Sequence, residues 1–288
     1  GHLGAVPAAE RARLDESRAQ ARDMQSRLDA ALAHCTNALD AVAVEHVLVK
    51  GPTLQALYPD DVVRAAGDLD FLVHEEDLGA APAALGRAGF ALQTPVPEGL
   101  TTAETVRYCH TFEQLCFLGD DGAEVELHFR LHNYGPPSVR EPLWDSVACW
   151  RAADGSARAG VGLEELFLYL VSHLNLHAFG RILWYYDVAE FYGTWRRHID
   201  WASLARMAVE RRLGVSFYQT LHWTVELLWP EWDLEPGLDP LRPSALRRAT
   251  FDRLWRRDEV FALASWIRPF DASRYYLLGG DSPLRKAA

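Results

Sequence analysis

The sequence predicts an α+β domain, a mixed sheet flanked by helices, followed by an all-helical domain. Three observations carry that expectation. Two short apolar runs, Val47 to Val49 and Leu69 to Val73, flank a Gly51-Pro52 break and a brief helical stretch, which reads as strand, helix, strand. Residues 113–118 and 123–131 then alternate around Gly119-Asp120-Asp121-Gly122, a hairpin signal. From residue 163 onward the alternation stops, and long helical periods rich in Trp and Tyr take over.

Taken in order, residues 8–44 hold no Gly or Pro and are rich in Ala, Arg, Glu and Leu. They predict a long helix, or two in succession, that packs on the sheet through Leu14, Met24, Leu28, Leu32 and Leu39. His46 to Gly51 is the first expected strand, Thr53 to Tyr58 the helix it feeds, Pro59-Asp60-Asp61 a turn, and Leu69 to His74 the second strand. Glu75 to Gly89 reads as helix with a glycine at its end. Phe90 to Gln93 is a further strand, and Pro95 to Gly99 a loop. Asn133 to Arg140, with Gly135-Pro136-Pro137, breaks the pattern and is expected to form a loop at a cleft. The clearest later helices are Leu163 to Phe179, Ile182 to Arg197, Trp201 to Leu213 and Val215 to Trp229. A Pro-rich connection follows to Pro243, then helix again to Trp266. The expected organisation is therefore an N-terminal helical segment (1–44), a catalytic domain (45–155) and a helical domain (156–288), with the site in the cleft between the last two.

Composition narrows the function classes. The 288 residues are 49% hydrophobic and 24% charged, ordinary for a globular chain. A net charge of −11 argues against general nucleic-acid binding, because phosphate backbones are held by Lys and Arg. No apolar run is long enough to span a bilayer. Four cysteines without a CxxC pair, and no recognisable leader, point to free thiols in a cytoplasmic protein. Cys109 and His110 are adjacent, so on a strand they face opposite ways and do not make a nucleophile pair. Only Lys50 and Lys286 are lysines; arginine supplies the rest of the 29 basic side chains, which makes Lys50 conspicuous.

The chemistry gathers at Asp68 and Asp70, which strand alternation puts on one face at a partly exposed strand end. Two carboxylates that close repel unless a cation joins them, and Mg²⁺ favours such oxygen ligands. Each could instead serve a structural end, Asp68 capping a turn and Asp70 pairing with an arginine. On the second hairpin arm Glu124, Glu126 and His128 share a face. His173 and His177 lie four apart on a helix, with Arg181 continuing that face. A zinc-protease motif would need a glutamate where Leu174 stands. These histidines could be hydrogen-bonded at a domain interface or could close over a ligand. The aromatic run Trp184-Tyr185-Tyr186 with Phe191, Tyr192 and Trp195 suits either a core or a stacking platform.

The set Lys50-Gly51, Tyr58-Pro59, Arg64, Asp68-Leu69-Asp70-Phe71-Leu72-Val73, then Glu126-Leu127-His128-Phe129-Arg130-Leu131, then His173, His177, Arg181, Trp184 and Asp187, resembles a bacterial branch of the nucleotidyltransferase fold whose activity is uncharacterised. The resemblance covers roughly residues 35–195. It implies metal-dependent transfer of a nucleoside monophosphate from an NTP to a small-molecule or peptide acceptor, in a setting such as natural-product biosynthesis or antibiotic modification. Asp68, Asp70 and Glu126 would be the catalytic and metal-binding acids, with Mg²⁺ as the ion and Mn²⁺ as the substitute. Lys50, Gly51, Thr53 and Arg64 would hold the phosphates, and His128, His173, His177 and Arg181 would contact acceptor or nucleotide. Pro52 departs from the Gly-Ser or Gly-Gly usual in this fold and removes one backbone donor, at a position where a first helical turn tolerates it. A non-catalytic nucleotide- or partner-binding protein and a metal-dependent phosphohydrolase are the competing readings of the same acids.

Overall fold

The computed structural model describes residues 7–58, 62, 64, 66–97, 99, 104–105, 108, 114–131, 142–151, 157–177 and 179–254. Cys109, His110, the turn at 59–61, the loop at 133–140 and the helix expected beyond residue 254 lie outside these residues. The chain divides into two compact units, residues 1–133 with 147–161, and residues 134–146 with 162–288.

The first unit is a seven-stranded mixed sheet in the order β3-β4-β5-β2-β1-β7-β6. Its strands are β1 (His46–Leu48), β2 (Asp68–Val73), β3 (Phe90–Leu92), β4 (Gln114–Gly119), β5 (Glu124–His128), β6 (Ala148–Arg151) and β7 (Ala157–Gly160). The hairpin β4–β5 is antiparallel as its alternation predicts, turning at Gly122 with φ +81°. In contrast β2 and β5 are parallel, and this pairing sets Asp70 directly beside Glu126. The β6–β7 hairpin was not foreseen: Ala148-Cys149-Trp150-Arg151 and Ala157-Arg158-Ala159-Gly160 lack a β-branched run, and pairing of β7 along β1 brings them into the sheet.

Helix α1 (Ala8–Asp40) covers one sheet face only with its second half. Leu28, Ala31, Leu32, Cys35 and Leu39 are buried with Leu69, Phe71 and Val73 of β2 and Val125 and Leu127 of β5. The expected stripe stops short, for Leu14 is 53% exposed. Because Leu69, Phe71 and Val73 turn to that core, alternation turns Asp68 and Asp70 to the other face, and Val125 and Leu127 do the same for Glu126 and His128. The helix expected from Glu75 splits into a 3₁₀ turn (Glu75–Leu78) and helix α2 (Ala80–Arg87). The stretch after β1 is likewise a 3₁₀ turn, Gly51–Leu57, and not an α-helix.

The second unit is built from α3 (Leu163–Leu176), α4 (Ile182–Trp195), α5 (Trp201–Glu210), α6 (Gly214–Leu228) and α7 (Ala245–Leu254). Its core is aromatic: Phe167 stacks on Phe191 with centroids 5.1 Å apart and meets Phe217 edge-on at 5.6 Å. Asp200 caps α5, accepting from the Ser203 amide. Arg211 forks onto both oxygens of the buried Glu165, tying the end of α5 to α3.

Candidate active site

The site is built on β2 and β5. In the parallel register Asp70 opposes Glu126 and Asp68 opposes Glu124, while His128 follows Glu126 on the same face two residues along. One oxygen of Asp70, one of Glu126 and a ring nitrogen of His128 lie within 4.8 Å of one another. The nitrogen is Nε2, 3.0 Å from Asp70 Oδ1 and 3.4 Å from Glu126 Oε2. Lys50, just past the end of β1, brings its Nζ to 3.0 Å from the same Asp70 oxygen and 4.0 Å from Asp68 Oδ2. Asp68 is not part of the mutual 4.8 Å group.

Asp70 is fully buried, which corrects the expectation of a partly exposed strand end. The strand begins at Asp68, so Asp70 already lies inside a sheet flanked by β1 and β5, and only Asp68 keeps a share of solvent. A buried carboxylate survives only if paired. Burial acts to raise the Asp70 pKa, but the Lys50 charge and the His128 hydrogen bond outweigh it and hold the group well below the usual carboxylate range. Burial acts against charge on His128, yet its hydrogen bonds to Asp70 and Glu126 raise it to about 9, making it an imidazolium at neutral pH. Asp68 goes the other way: burial and then the Asp70 charge push it up to about 6, partly offset by Lys50 and, more weakly, by Arg64. One of the two acids foreseen as a pair is thus firmly ionised, and the other is charged at an electrostatic cost.

The phosphate-side candidates surround this pair. Gly51 has φ +73°, and a Cβ there would stand 3.0 Å from the Asp68 carbonyl oxygen, so both backbone conformation and close approach to β2 require glycine. Pro52 occupies the first turn of the 3₁₀ segment. A seven-residue 3₁₀ turn does not have the aligned dipole of the helix expected at Thr53. Thr53 supplies a hydroxyl instead, buried and without a hydrogen-bond partner among the described residues. Arg64 is buried and its charge acts on Asp68; its amide donates to Gln55 Oε1 at 2.8 Å.

The donor set fits a divalent cation. Two carboxylates and an imidazole converge, and the second Asp70 oxygen, Oδ2, is buried with no hydrogen-bond partner among the described residues. The signal for His128 as part of this group was present in the Glu124, Glu126, His128 alternation, but which residue of β2 it would meet depended on the strand pairing. Arg130 donates from Nε to Glu75 Oε1 at 2.7 Å and joins the segment after β5 to the turn after β2.

His173, His177 and Arg181 belong to the second unit and do not share one helical face. Helix α3 ends at Leu176, Phe179 takes a left-handed φ of 61°, and Arg181 caps α4. Trp184 collects them: its ring centroid is 4.9 Å from that of His173 and 5.0 Å from that of His177, and the Arg181 guanidinium lies 5.3 Å over it. Tyr185, Phe191 and Tyr192 are core, whereas Tyr186 is exposed. Cys35 is buried, which raises its thiol to about 12 and makes it a packing residue. Among the described residues no helix is long and apolar enough to cross a membrane.

A family model described as an uncharacterised nucleotidyltransferase matches residues 1–228. No curated protein matches the sequence. The match spans well over half of the chain, which therefore belongs to this nucleotidyltransferase family.

Proposed function

We propose that this member of the family transfers a nucleoside monophosphate from an NTP to a small-molecule or peptide acceptor, with a divalent metal, Mg²⁺ or Mn²⁺, at the acids of β2 and β5 and pyrophosphate leaving. The observation that carries the reading is the buried Asp70 carboxylate, set beside Glu126 by the parallel register and left with one oxygen lacking a hydrogen-bond partner among the described residues. Asp68, Asp70 and Glu126 are the proposed metal-binding acids. A metal held there would neutralise phosphate charge and lower the pKa of the attacking hydroxyl.

The protein's own residues supply placement. Gly51, whose positive φ and close approach to the Asp68 carbonyl fix the turn after β1, is the proposed backbone element beside the triphosphate. Lys50 and Arg64 are the proposed cations for the β- and γ-phosphates, and the Thr53 hydroxyl a donor to them. Lys50 Nζ lies 3.0 Å from Asp70 Oδ1, so in this reading it exchanges one anion for another when a triphosphate enters. In-line displacement at phosphorus depends on such positioning and charge neutralisation rather than on covalent help from the protein.

Calorimetric titration of the full chain with each NTP, with and without Mg²⁺, tests the reading. Metal-dependent binding of at least one NTP is expected, and its absence would overturn the enzyme reading in favour of a non-catalytic protein. Pyrophosphate release that depends on an added acceptor would distinguish transfer from hydrolysis.

A further inference from the structure

The acids foreseen for the metal were all oxygen donors, and the structure adds a nitrogen. His128 Nε2 lies 3.0 Å from Asp70 Oδ1 and 3.4 Å from Glu126 Oε2. Metal–ligand bonds of about 2.1 Å place neighbouring octahedral vertices about 3.0 Å apart, so the two separations from His128 suit neighbouring positions on one ion, and all three donor atoms lie within 4.8 Å of one another. The imidazole is not free to swing away: His128 is buried and lies on β5 in register with Leu72 of β2. A second and independent sign is the Asp70 carboxylate, wholly buried, whose Oδ2 has no hydrogen-bond partner among the described residues. Imidazole nitrogen suits first-row transition ions, whereas Mg²⁺ is a hard ion that keeps to oxygen ligands and waters.

We propose that His128 is a metal ligand, and that Asp70, Glu126 and His128 make the site selective for a first-row transition ion such as Mn²⁺ over Mg²⁺. The inference rests on the reading of Asp70 and Glu126 as metal-binding acids and deepens it by naming the ion class. Coordination uses the Nε2 lone pair, so the proton on that nitrogen passes to solvent as the ion enters.

The test uses the full chain and Mn²⁺ alone, without nucleotide. Pulsed electron paramagnetic resonance of the bound Mn²⁺ should show coupling to an imidazole ¹⁴N, replaced by a ¹⁵N pattern when the protein carries [¹⁵N]histidine. Competition should show Mn²⁺ bound about tenfold or more tightly than Mg²⁺. In His128→Asn the nitrogen coupling should vanish and the Mn²⁺ preference should shrink. Should that variant fail to fold, isotope labelling of the wild-type chain decides alone. An oxygen-only spectrum, or nitrogen coupling that persists in folded His128→Asn, would overturn the proposal. Absence of Mn²⁺ binding with metal-dependent NTP binding intact would overturn it and leave the nucleotidyltransferase reading standing, whereas loss of both would remove the reading as well.

Discussion

Asp68→Asn should stabilise the metal-free protein while impairing the proposed site. The Asp68 carboxyl titrates near 6 in the folded chain against an ordinary value of 3.8, because burial and the neighbouring Asp70 charge oppose its ionisation. A folded-state pKa raised in this way means that stability is whole below 3.8 and is lost as pH rises through 6. At about 1.4 kcal/mol per pH unit the penalty approaches 3 kcal/mol in a dry site, and solvent reaching this partly exposed side chain reduces it to roughly 1–2 kcal/mol. The asparagine is nearly isosteric and carries no charge, so it escapes the penalty. Urea unfolding in the presence of EDTA at pH 8 should place the variant above the wild type by that amount. At pH 5, within the titration window, the gain should fall to about half. A gain of equal size at both pH values would show that it is not electrostatic, and a loss of stability at pH 8 would show that Lys50 and Arg64 already compensate Asp68. Added Mn²⁺ should reverse the ranking, since an ion that binds only the folded state stabilises the chain that keeps the carboxylate.

Asp70→Asn has the opposite character. It leaves the Lys50 ammonium and the His128 imidazolium without the carboxylate they share, so it should cost about 3–5 kcal/mol in unfolding experiments and abolish metal-dependent NTP binding. Wild-type stability in the variant would mean that the ion pairs at this oxygen contribute nothing. Gly51→Ala should lose roughly 1–2 kcal/mol for the left-handed backbone alone, with a further loss from the Asp68 carbonyl 3.0 Å from the new Cβ; chemical denaturation measures it, and a neutral result would refute the positive φ. In the second unit Glu165→Ala removes the carboxylate that Arg211 forks onto and should cost about 3 kcal/mol, with much of the loss recovered in Glu165→Met combined with Arg211→Met, a comparison that a double-mutant cycle resolves.

Much of the first unit was legible because its signals are local. The β4–β5 hairpin follows from alternation around a Gly-containing turn, and β2 from an apolar run with acids at its start. The long α1 was readable as a helix, yet how far it would be covered was not, because propensity does not record where the sheet ends. Leu14 and Leu28 look alike in the sequence, and only Leu28 meets the core. The turn at Gly51–Leu57 illustrates the reverse limit: a helical tendency is visible in the sequence, but neither its 3₁₀ winding nor the close approach of the Asp68 carbonyl to Gly51 is a local property. Arg181 was placed on the helical face of His173 and His177 by counting residues, and the left-handed Phe179 shows that counting fails where a helix ends.

By itself the sequence determined the residue types of the site and their faces: Asp68 with Asp70, and Glu126 with His128, because a period of two is a property of any strand. The tertiary structure alone decided which of them meet. The parallel register of β2 and β5 joined Asp70 to Glu126 and His128, and the end of β1 delivered Lys50 to the same oxygen. Asp70 is wholly buried between neighbouring strands and ionised, whereas Asp68, two residues nearer the strand end, resists ionisation. Pairing and burial are long-range outcomes, and they move two chemically identical carboxyls in opposite directions from their ordinary range.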